Sequence, residues 1–329
     1  MSTLRVVAAP DKFRGSVSAV EAAQAMHDAV LEHGGTCSML PLADGGEGTL
    51  DAFGGANRWS EVTGPLGTPV RAGWRLDGER AVIEMAQASG LLVAGGKEHN
   101  DAEGATTRGV GELVAEAVDA GATRIIVGVG GSATTDGGEG ALEVLAEPVA
   151  AEILVCCDVT TRFTDAARVF GPQKGATPDQ VGRLTARLER LQDRYRHRYG
   201  VDVSALPGSG AAGGLAGGLA ALGARLVPGF PLVAGETGLA GALAGADLVV
   251  TGEGLLDEGS FAGKVVGGVV SVASGLGVPV LAVVGEARPE VRGRIPTLAL
   301  LDHFSEAEAW DRTQDCIRRI TAAHLGYHR

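Results

Sequence analysis

Apolar runs short enough for buried strands alternate with longer stretches of helical spacing along most of the chain. The strand-like runs are residues 4–9, 36–42, 124–127, 152–157, 246–250, 279–284 and 297–301. The helix-like stretches are residues 18–33, 105–120, 177–199, 264–276 and 306–325. Between them, residues 59–93 carry short alternating runs separated by proline and glycine, a pattern typical of an antiparallel meander. The alternation predicts an α/β fold that is interrupted in its middle.

The change of pattern near residue 58 indicates two domains. With 329 residues, the chain is long enough for two domains of about 150 residues each. We expect residues 1–57 and 232–329 to pack together as one discontinuous α/β domain around an inserted second α/β domain, residues 58–231. The first helix has a clear start signal, because Ser18 and Glu21 have the spacing of a capping box.

One strand-like run leads into a glycine-rich stretch that precedes a helix. Residues 128–142 read G-V-G-G-S-A-T-T-D-G-G-E-G-A-L directly after the run at 124–127. A strand that passes through glycines into a helix start presents backbone N–H groups at the positive end of the helix dipole, where a phosphate can bind. The G-x-G-x-x-A pattern inside it also fits dinucleotide-binding loops, although it is frequent in glycine-rich chains. The stretch therefore predicts an anion-binding loop.

The same five residues, D-G-G-E-G, occur at 44–48 and at 136–140. Each copy follows an apolar run and precedes a helix start. Carboxylates on glycine turns suit Mg²⁺ or a hydroxyl proton, and glycine amides suit phosphate oxygens. Aspartate and glycine also form ordinary turns, which is the competing explanation for either copy alone. The identical order in two loops favours a chemical role.

Composition and charge limit the classes of partner. Glycine accounts for 52 residues and aromatic residues for 4%, which is typical of a fold built on tight turns. The 40 acidic and 28 basic residues give a net charge of −12, which argues against nucleic acid or an anionic membrane as a partner. The four cysteines show no C-x-x-C pair, so we expect a reducing cytoplasm. The first strand starts without an export segment, and the uncharged run 203–224 is too weakly apolar for a membrane span, so we expect a tightly packed helix there.

Charged side chains follow several of the predicted strands. Asp11, Lys12 and Arg14 follow the first strand, and Asp158 follows a later one. Residues beyond the carboxyl ends of strands face the ligand crevice in open α/β sheets. These side chains are therefore placed to meet a substrate, with a solvated surface turn as the alternative. Lys174 lies between two turn glycines and suits a phosphate or a carboxylate, unless it is an ordinary exposed lysine.

Familiar motifs of other enzyme classes fit poorly. Gly263 and Lys264 lack the earlier glycine of a P-loop, because Glu258 stands at that position. The histidines contain no H-E-x-x-H spacing, so zinc hydrolysis has no support. A nicotinamide oxidoreductase stays open on the G-x-G-x-x-A match, although Glu147 and Glu152 are poorly placed to bind a ribose.

Six ordered segments resemble the type I glycerate kinase family. They are A-P-D-K-F-R-G-S at 9–16, A-D-G-G-E-G at 43–48, G-G-S-A-T-T-D-G-G at 130–138, F-G-P-Q-K-G-A at 170–176, G-A-A-G-G at 210–214, and T-G-E-G at 251–254 with Lys264 after it. The resemblance implies a two-domain α/β enzyme with one Rossmann-like domain built on a parallel sheet, one mixed α/β domain, and the active site in the cleft between them. It also implies an ATP- and Mg²⁺-dependent kinase that phosphorylates D-glycerate, in most members to 2-phosphoglycerate.

The chain departs from the family pattern in two places. The connection at residues 143–152 is shorter than the corresponding family segment, which makes the chain a shortened member. After the next strand the family commonly reads D-V-x-N-P-L-x-G, whereas this chain has D-V-T-T-R-F-T-D at 158–165. The departures leave two alternatives open: a kinase for another small hydroxy acid, or a non-catalytic paralogue that binds a nucleotide or an acid.

The kinase hypothesis assigns a role to each motif residue. The residues that would cradle the ATP phosphates are Gly130, Gly131, Ser132 and Thr134, and those that would hold Mg²⁺ are Asp136 and Glu253. The substrate-binding residues would be Asp11, Lys12, Arg14 and Lys174. The catalytic residues would be Asp44 or Asp158, as the base that accepts the hydroxyl proton, and Lys264, which would neutralise developing charge. The partner is then a small hydroxy acid such as glycerate, and whether the chain forms a homodimer stays open.

Overall fold

The structure, a computed structural model, describes residues 3–13 and 15–327. The chain forms two compact units, one of Met1–Asp44 with Phe230–Arg329 and one of Gly45–Gly229. Each unit has its own sheet and its own apolar core. The predicted domain edges at 57/58 and 231/232 stay predictions.

The first unit is built on a parallel sheet. Its strands, in spatial order, are β2 (Thr36–Met39), β1 (Arg5–Ala8), β9 (Leu248–Leu256), β10 (Val280–Ala287) and β11 (Thr297–Ala299). Within the unit this is the order 2-1-3-4-5 of a doubly wound α/β fold, in which ligands bind outside the carboxyl ends of the strands where the order reverses. That point lies between β1 and β9.

Apolar cores lie on both faces of this sheet. Leu281 and Val283 of β10 belong to the core that includes residues of α1 (Ala19–Glu32) and α13 (Thr313–Tyr327). The alternate β10 residues Ala282 and Val284 belong to a second core with Val266 of α11 (Val265–Leu276). Burial on both faces explains why these strands read as continuous apolar runs.

The helices of the first unit start and stop largely where the sequence predicts. Ser18 caps α1, with its hydroxyl accepting from Glu21 N and the Glu21 carboxylate accepting from Ser18 N, so the predicted capping box is present. The predicted helix at 306–325 is instead two helices, α12 (Glu306–Asp311) and α13, because Arg312 has a non-helical φ of −129°. The shorter helices here are α9 (Gly229–Thr237), which begins at the last residue of the second unit, and α10 (Leu239–Leu243).

The second unit is built on a mixed sheet whose strands follow one another in chain order. They are β3 (Arg58–Thr63), β4 (Pro69–Asp77), β5 (Arg80–Glu84), β6 (Arg124–Gly128), β7 (Glu152–Cys156) and β8 (Arg225–Val227). The strands β3, β4 and β5 pair antiparallel, as the meander predicts, whereas β5 to β8 pair parallel. The carboxyl ends of β5, β6 and β7 therefore share one edge.

The helices of the second unit surround one large apolar core. They are α3 (Met85–Ser89), α4 (Arg108–Asp119), α5 (Glu139–Leu145), α6 (Ala166–Phe170), α7 (Pro178–Tyr199) and α8 (Leu215–Ala221). Phe163, Leu188 and Leu215 are among its fully buried side chains. A short helix, α2 (Thr49–Ala52), contributes no residue to this core. No helix within residues 3–13 and 15–327 has the length and apolar character to cross a membrane.

Some elements of the structure differ in length from the predicted ones, because the sequence pattern does not show which strands pair with each other. The predicted strand at 246–250 extends to Leu256, since β10 pairs with it as far as Ala287 opposite Leu256. Residues 85–89 form α3 instead of meander. Of the uncharged run 203–224, only α8 is α-helical. The predicted fold class, a parallel sheet and a second mixed α/β sheet in a two-domain chain, is confirmed.

Candidate active site

The predicted site residues of the first unit meet where the strand order reverses. Asp11 follows β1, and its N–H donates to Gly252 O at 2.8 Å, which places Glu253 of β9 beside it. Asp44 follows β2 and lies close enough to Asp11 for their charges to interact, and Lys264 interacts with both Asp11 and Glu253. Three carboxylates and a lysine thus lie together at the switch point. This is the place where proteins of this fold class bind their ligands.

Asp11 is a buried carboxylate held by its neighbour. Only 7% of the residue is exposed. Its Oδ1 accepts from Lys12 N at 2.7 Å and lies 3.7 Å from Lys12 Nζ. Burial raises the pKa of Asp11 to about 6, with Lys12 opposing and Asp44 reinforcing the rise. Asp11 therefore titrates close to neutral pH, and a cation or a positively charged group at this site would favour its ionised form.

Glu253 offers an unsatisfied oxygen at the same place. Its Oε1 is buried and has no hydrogen-bond partner among residues 3–13 and 15–327. Burial raises the pKa of Glu253 to about 7, and the nearby Asp11 adds to the rise. A buried acceptor without a donor costs free energy, so this oxygen is suited to a ligand. Lys264 is exposed at the residue before α11, and Arg14 lies outside the described residues.

Asp11 and Glu253 are the residues of this cluster that would hold a magnesium ion. Within the part of the chain that the structure describes, no three or more His, Cys, Asp or Glu side chains form a closed metal site. Mg²⁺ is usually held by one or two carboxylates together with waters and substrate phosphates. The unsatisfied Glu253 oxygen and the neighbouring Asp11 match that requirement.

In the second unit, the predicted phosphate loop has an accessible tip. Gly131 is exposed, and Gly130 and Ser132 are half-buried. Across the described ranges 3–13 and 15–327, no acceptor is found for the N–H groups of these three residues. The tip is held against the residues after α3, because Leu91 N donates to Gly131 O at 2.8 Å and Ala133 N donates to Ser89 O at 3.0 Å. Three neighbouring amides that remain available suit the oxygens of a phosphate.

The remainder of the loop, from Ala133 to Gly138, is buried. Asp136 is 1% exposed, and its carboxylate accepts from the N–H and hydroxyl of Thr107, from Gly138 N and from Gly140 N at 2.8 to 3.2 Å. Thr134 is also fully buried. The structure therefore shows Asp136 fixing the loop, and Mg²⁺ could bind there only by displacing these donors. It favours Glu253 as the metal ligand, and Gly130, Gly131 and Ser132 over Thr134 as phosphate ligands.

The two D-G-G-E-G segments are not structural copies. In the first, Gly45 and Gly48 have positive φ, and Glu47 is exposed. In the second, positive φ falls on Gly137 and Gly138. Glu139 of the second copy forms ion pairs with Arg187 at 2.9 Å and Arg194 at 2.6 Å. The two identical segments therefore have different structural roles, and Glu139 holds α5 to α7.

The first copy nevertheless touches the phosphate loop. Val129 N donates to Gly45 O at 3.1 Å. A Cβ on Gly130 would lie 2.7 Å from Gly46 Cα and 2.9 Å from Glu47 N. Because real Cβ atoms do not approach backbone that closely, Gly130 has to be glycine for the two loops to pack.

Asp158 follows β7, at the edge that the carboxyl ends of β6 and β7 share. It is exposed, and its Oδ1 accepts from Gly229 N at 2.9 Å. The contact ties Asp158 to the start of α9. Of the two predicted bases, Asp44 lies beside Asp11, another predicted site residue of its unit.

Glu84 is a candidate functional residue that the sequence does not single out. It ends β5 opposite Gly128 of β6, is 4% exposed, and its Oε1 accepts from Leu50 N at 2.6 Å. Burial raises the pKa of Glu84 to about 7, although the bond from Leu50 lowers it. In the sequence it is a carboxylate at the end of an apolar run inside the predicted antiparallel meander, whereas β5 pairs antiparallel with β4 and parallel with β6. Glu84 holds the start of α2, next to the first D-G-G-E-G loop.

Replacing Glu84 by Gln is expected to flatten the pH dependence of stability. The pKa of Glu84 rises from 4.5 to about 7 on folding, so its stabilising contribution is complete below pH 4.5 and is lost as the pH rises through 7. Gln keeps an acceptor for Leu50 N without ionising, whereas Glu84→Ala should lower the free energy of unfolding by about 1–3 kcal/mol. Urea unfolding at pH 5, 6, 7 and 8 measures both. Parallel pH curves for the wild type and Glu84→Gln would contradict the assignment.

Comparison with known proteins agrees with the fold and the motifs. The family model described as the glycerate kinase family matches residues 6–152 and 143–322. Glycerate 2-kinase of Escherichia coli K12 is 38% identical over 331 residues, covering 88% of this chain and 87% of that protein. Glycerate kinase of Halalkalibacterium halodurans is 38% identical over 323 residues, covering 85% of each. The chain belongs to the glycerate kinase family, so the predicted family and enzyme class are confirmed.

A solved structure extends the match over the whole fold. The crystal structure of a candidate glycerate kinase 2 from Salmonella typhimurium LT2 has a TM-score of 0.84 and 34% identity, and the match covers 99% of both chains. The match supports the predicted two-domain architecture.

Proposed function

We propose that this enzyme transfers the γ-phosphoryl group of ATP to the 2-hydroxyl of D-glycerate in a Mg²⁺-dependent reaction. The observation that carries the proposal is the cluster of Asp11, Asp44, Glu253 and Lys264 at the switch point of the parallel sheet. The phosphorylated position rests on the E. coli glycerate 2-kinase, which is 38% identical. The nicotinamide alternative loses support, because the matched family is one of kinases.

The residues of the site supply what phosphoryl transfer requires. Such reactions depend mainly on positioning and on neutralising charge. The free amides of Gly130, Gly131 and Ser132 bind phosphate oxygens of ATP. Lys12 and Arg14 bind the glycerate carboxylate, Asp44 accepts the hydroxyl proton, and Lys264 stabilises charge on the transferring group.

The residues proposed to bind magnesium are Glu253 and the neighbouring Asp11. When bound, Mg²⁺ shields phosphate charge and polarises the transferring group. Glu253 would hold it through the oxygen that has no partner in the described parts of the chain, with Asp11 next to it. Lys12 orients Asp11 through its N–H and ammonium group.

The shortened connection does not remove a part of the phosphate loop. The connection, residues 143–152, begins in the last turn of α5 and enters β7 at its amino end, Glu152. The phosphate loop leaves β6 at its carboxyl end, Gly128, and β6 and β7 are parallel. The connection and the loop therefore lie at opposite edges of this sheet, which favours an active kinase over a non-catalytic paralogue.

A substrate panel tests the proposal. ADP release is measured with ATP and Mg²⁺ in the presence of D-glycerate, L-glycerate, D-lactate, which lacks the 3-hydroxyl, and 3-hydroxypropionate, which lacks the 2-hydroxyl. We expect turnover with D-glycerate and none with 3-hydroxypropionate. Turnover only with another hydroxy acid would replace glycerate as the substrate, and ATP binding without turnover of any acid would favour the paralogue.

The requirement for Mg²⁺ should depend on pH. Asp11 and Glu253, with pKa values raised to about 6 and about 7, carry full charge only above those values. Protons therefore compete with the cation. The Mg²⁺ concentration for half-maximal rate should rise about 10-fold per pH unit between pH 7 and pH 6, where Glu253 is mostly protonated, and up to about 100-fold per unit below pH 6, where both carboxyls are. Rates measured from pH 5.5 to 8 against Mg²⁺ test this. A Mg²⁺ requirement that stays constant over that range would exclude these carboxyls as its ligands, and Glu253→Gln should remove the upper inflection.

A further inference from the structure

Lys174 lies beneath the phosphate loop and not at its surface. The residue is 2% exposed, and its Nζ donates to Thr134 O at 2.6 Å. Burial lowers the pKa of Lys174 to about 7, with Asp136 opposing the fall. The sequence predicts that Lys174 binds a substrate carboxylate or a phosphate. A side chain that is buried and already bonded to the backbone is poorly placed for that role.

A second contact joins the same two segments. The Asn100 side-chain amide donates to Ala133 O at 3.0 Å and to Lys174 O at 2.8 Å. The main chain of Lys174 and that of the loop are therefore linked twice, through the Lys174 ammonium and through Asn100. The Lys174 Nζ also lies 6.0 Å from the centre of the Phe170 ring, a favourable cation–π arrangement.

Thr134 O is confined on its other side as well. A Cβ on Gly213 would lie 1.9 Å from this oxygen, and Gly137 N donates to Gly213 O at 3.0 Å. The peptide after Thr134 is thus enclosed between Lys174 and the G-A-A-G-G loop. It lies between the exposed tip and Asp136 in the chain, so a displacement of Thr134 moves the tip.

We propose that Lys174 is a positioning residue whose ammonium group fixes the Thr134 carbonyl, so that the amides of Gly130, Gly131 and Ser132 keep the spacing that binds the phosphates of a nucleotide. The nature of the ligand rests on the proposed function. Lys174 acts through the loop and does not touch D-glycerate. Removing the ammonium group leaves the buried Thr134 carbonyl without its donor. The loop then moves, because an unpaired buried acceptor costs free energy.

The two roles of Lys174 predict different kinetics. A positioning role predicts that Lys174→Met weakens ADP binding and raises the KM for ATP by about 10- to 100-fold, since misplacement of about 1 Å has effects of this order. It also predicts a KM for D-glycerate close to the wild-type value. A substrate-binding role predicts the reverse, a raised KM for D-glycerate with ADP affinity unchanged.

Titration calorimetry with ADP and Mg²⁺, together with both KM values, forms the experiment. Lys97→Met is the matched control, because Lys97 is an exposed lysine of the same unit, and its ADP affinity should stay within about 2-fold of the wild type. Lys174→Ala, which also lacks the donor, serves if the Met variant does not fold. Ethylammonium added to Lys174→Ala should restore part of the ADP affinity by occupying the vacated space.

The outcomes separate this inference from the proposed function. If the wild type binds ADP but does not phosphorylate D-glycerate, the proposed function fails while the calorimetric comparison still tests Lys174. Unchanged ADP affinity in Lys174→Met, or in Lys174→Ala where the Met variant does not fold, overturns the inference whatever the substrate proves to be.

Discussion

Replacing Asp44 by Asn is expected to lower the single-turnover rate of D-glycerate phosphorylation by about 10²- to 10⁴-fold, the usual contribution of a general base. Asp44 follows β2 and lies beside Asp11 at the switch point of the parallel sheet. Asn preserves the size of the side chain but does not accept the hydroxyl proton. Rapid-quench measurement of phosphorylated product gives the rate, and calorimetry with ADP should show unchanged nucleotide binding.

Asp158→Asn is the matched control for the base assignment. Asp158 is exposed, and Asn can keep the bond that Oδ1 accepts from Gly229 N. The rate should stay within about 2-fold of the wild type, as for surface substitutions worth no more than 0.5 kcal/mol. A large loss in Asp158→Asn together with a small loss in Asp44→Asn would transfer the role of base to Asp158.

The second large effect is expected from Gly213→Ala. Gly213 has a φ of +65°, and a Cβ there would lie 1.9 Å from Thr134 O and 2.6 Å from Thr135 Cα. The left-handed backbone costs about 1–2 kcal/mol for a residue with a side chain, and overpacking adds about 1–3 kcal/mol. The free energy of unfolding should fall by about 2–5 kcal/mol. The affinity for ADP should fall as well, because the clash moves the phosphate loop.

Gly200→Ala separates the backbone effect from the clash. Gly200 ends α7 with a similar φ of +71°, and no atom lies within 4 Å of the position of its Cβ. This variant should lose only about 1–2 kcal/mol and bind ADP normally. Urea unfolding and calorimetry of both variants decide the matter: equal losses of stability at the two positions would show that Gly213 is not packed against the loop.

Local signals in the sequence predicted much of the fold. Ser18 and Glu21 form the capping box expected at the start of α1, and Thr177 starts α7 with a box of the same kind. Strands buried on both faces kept a continuous apolar pattern, which is why β1, β6 and β10 were found. The resemblance of six ordered motifs identified the family, which the comparisons confirm.

Side-chain burial could not be predicted from the same signals. Lys174 and Asp136 stand in glycine-rich segments, where charged residues are ordinarily exposed, yet both are buried by segments distant in the chain. Glu84 was overlooked because its strand pairs parallel with β6, about 40 residues later in the chain. In each case the decisive contact is long-range, and neither spacing nor composition encodes it.

The identity of the reaction product tests the central claim most directly. The purified enzyme is incubated with ATP, Mg²⁺ and D-glycerate, and the phosphate position is determined by ³¹P and ¹H NMR from the coupling between phosphorus and the carbon-bound protons. We predict 2-phosphoglycerate, with phosphorus coupled to the single proton on C2. Coupling to the two protons on C3, which marks 3-phosphoglycerate, or the absence of any phosphorylated glycerate would contradict the proposed reaction.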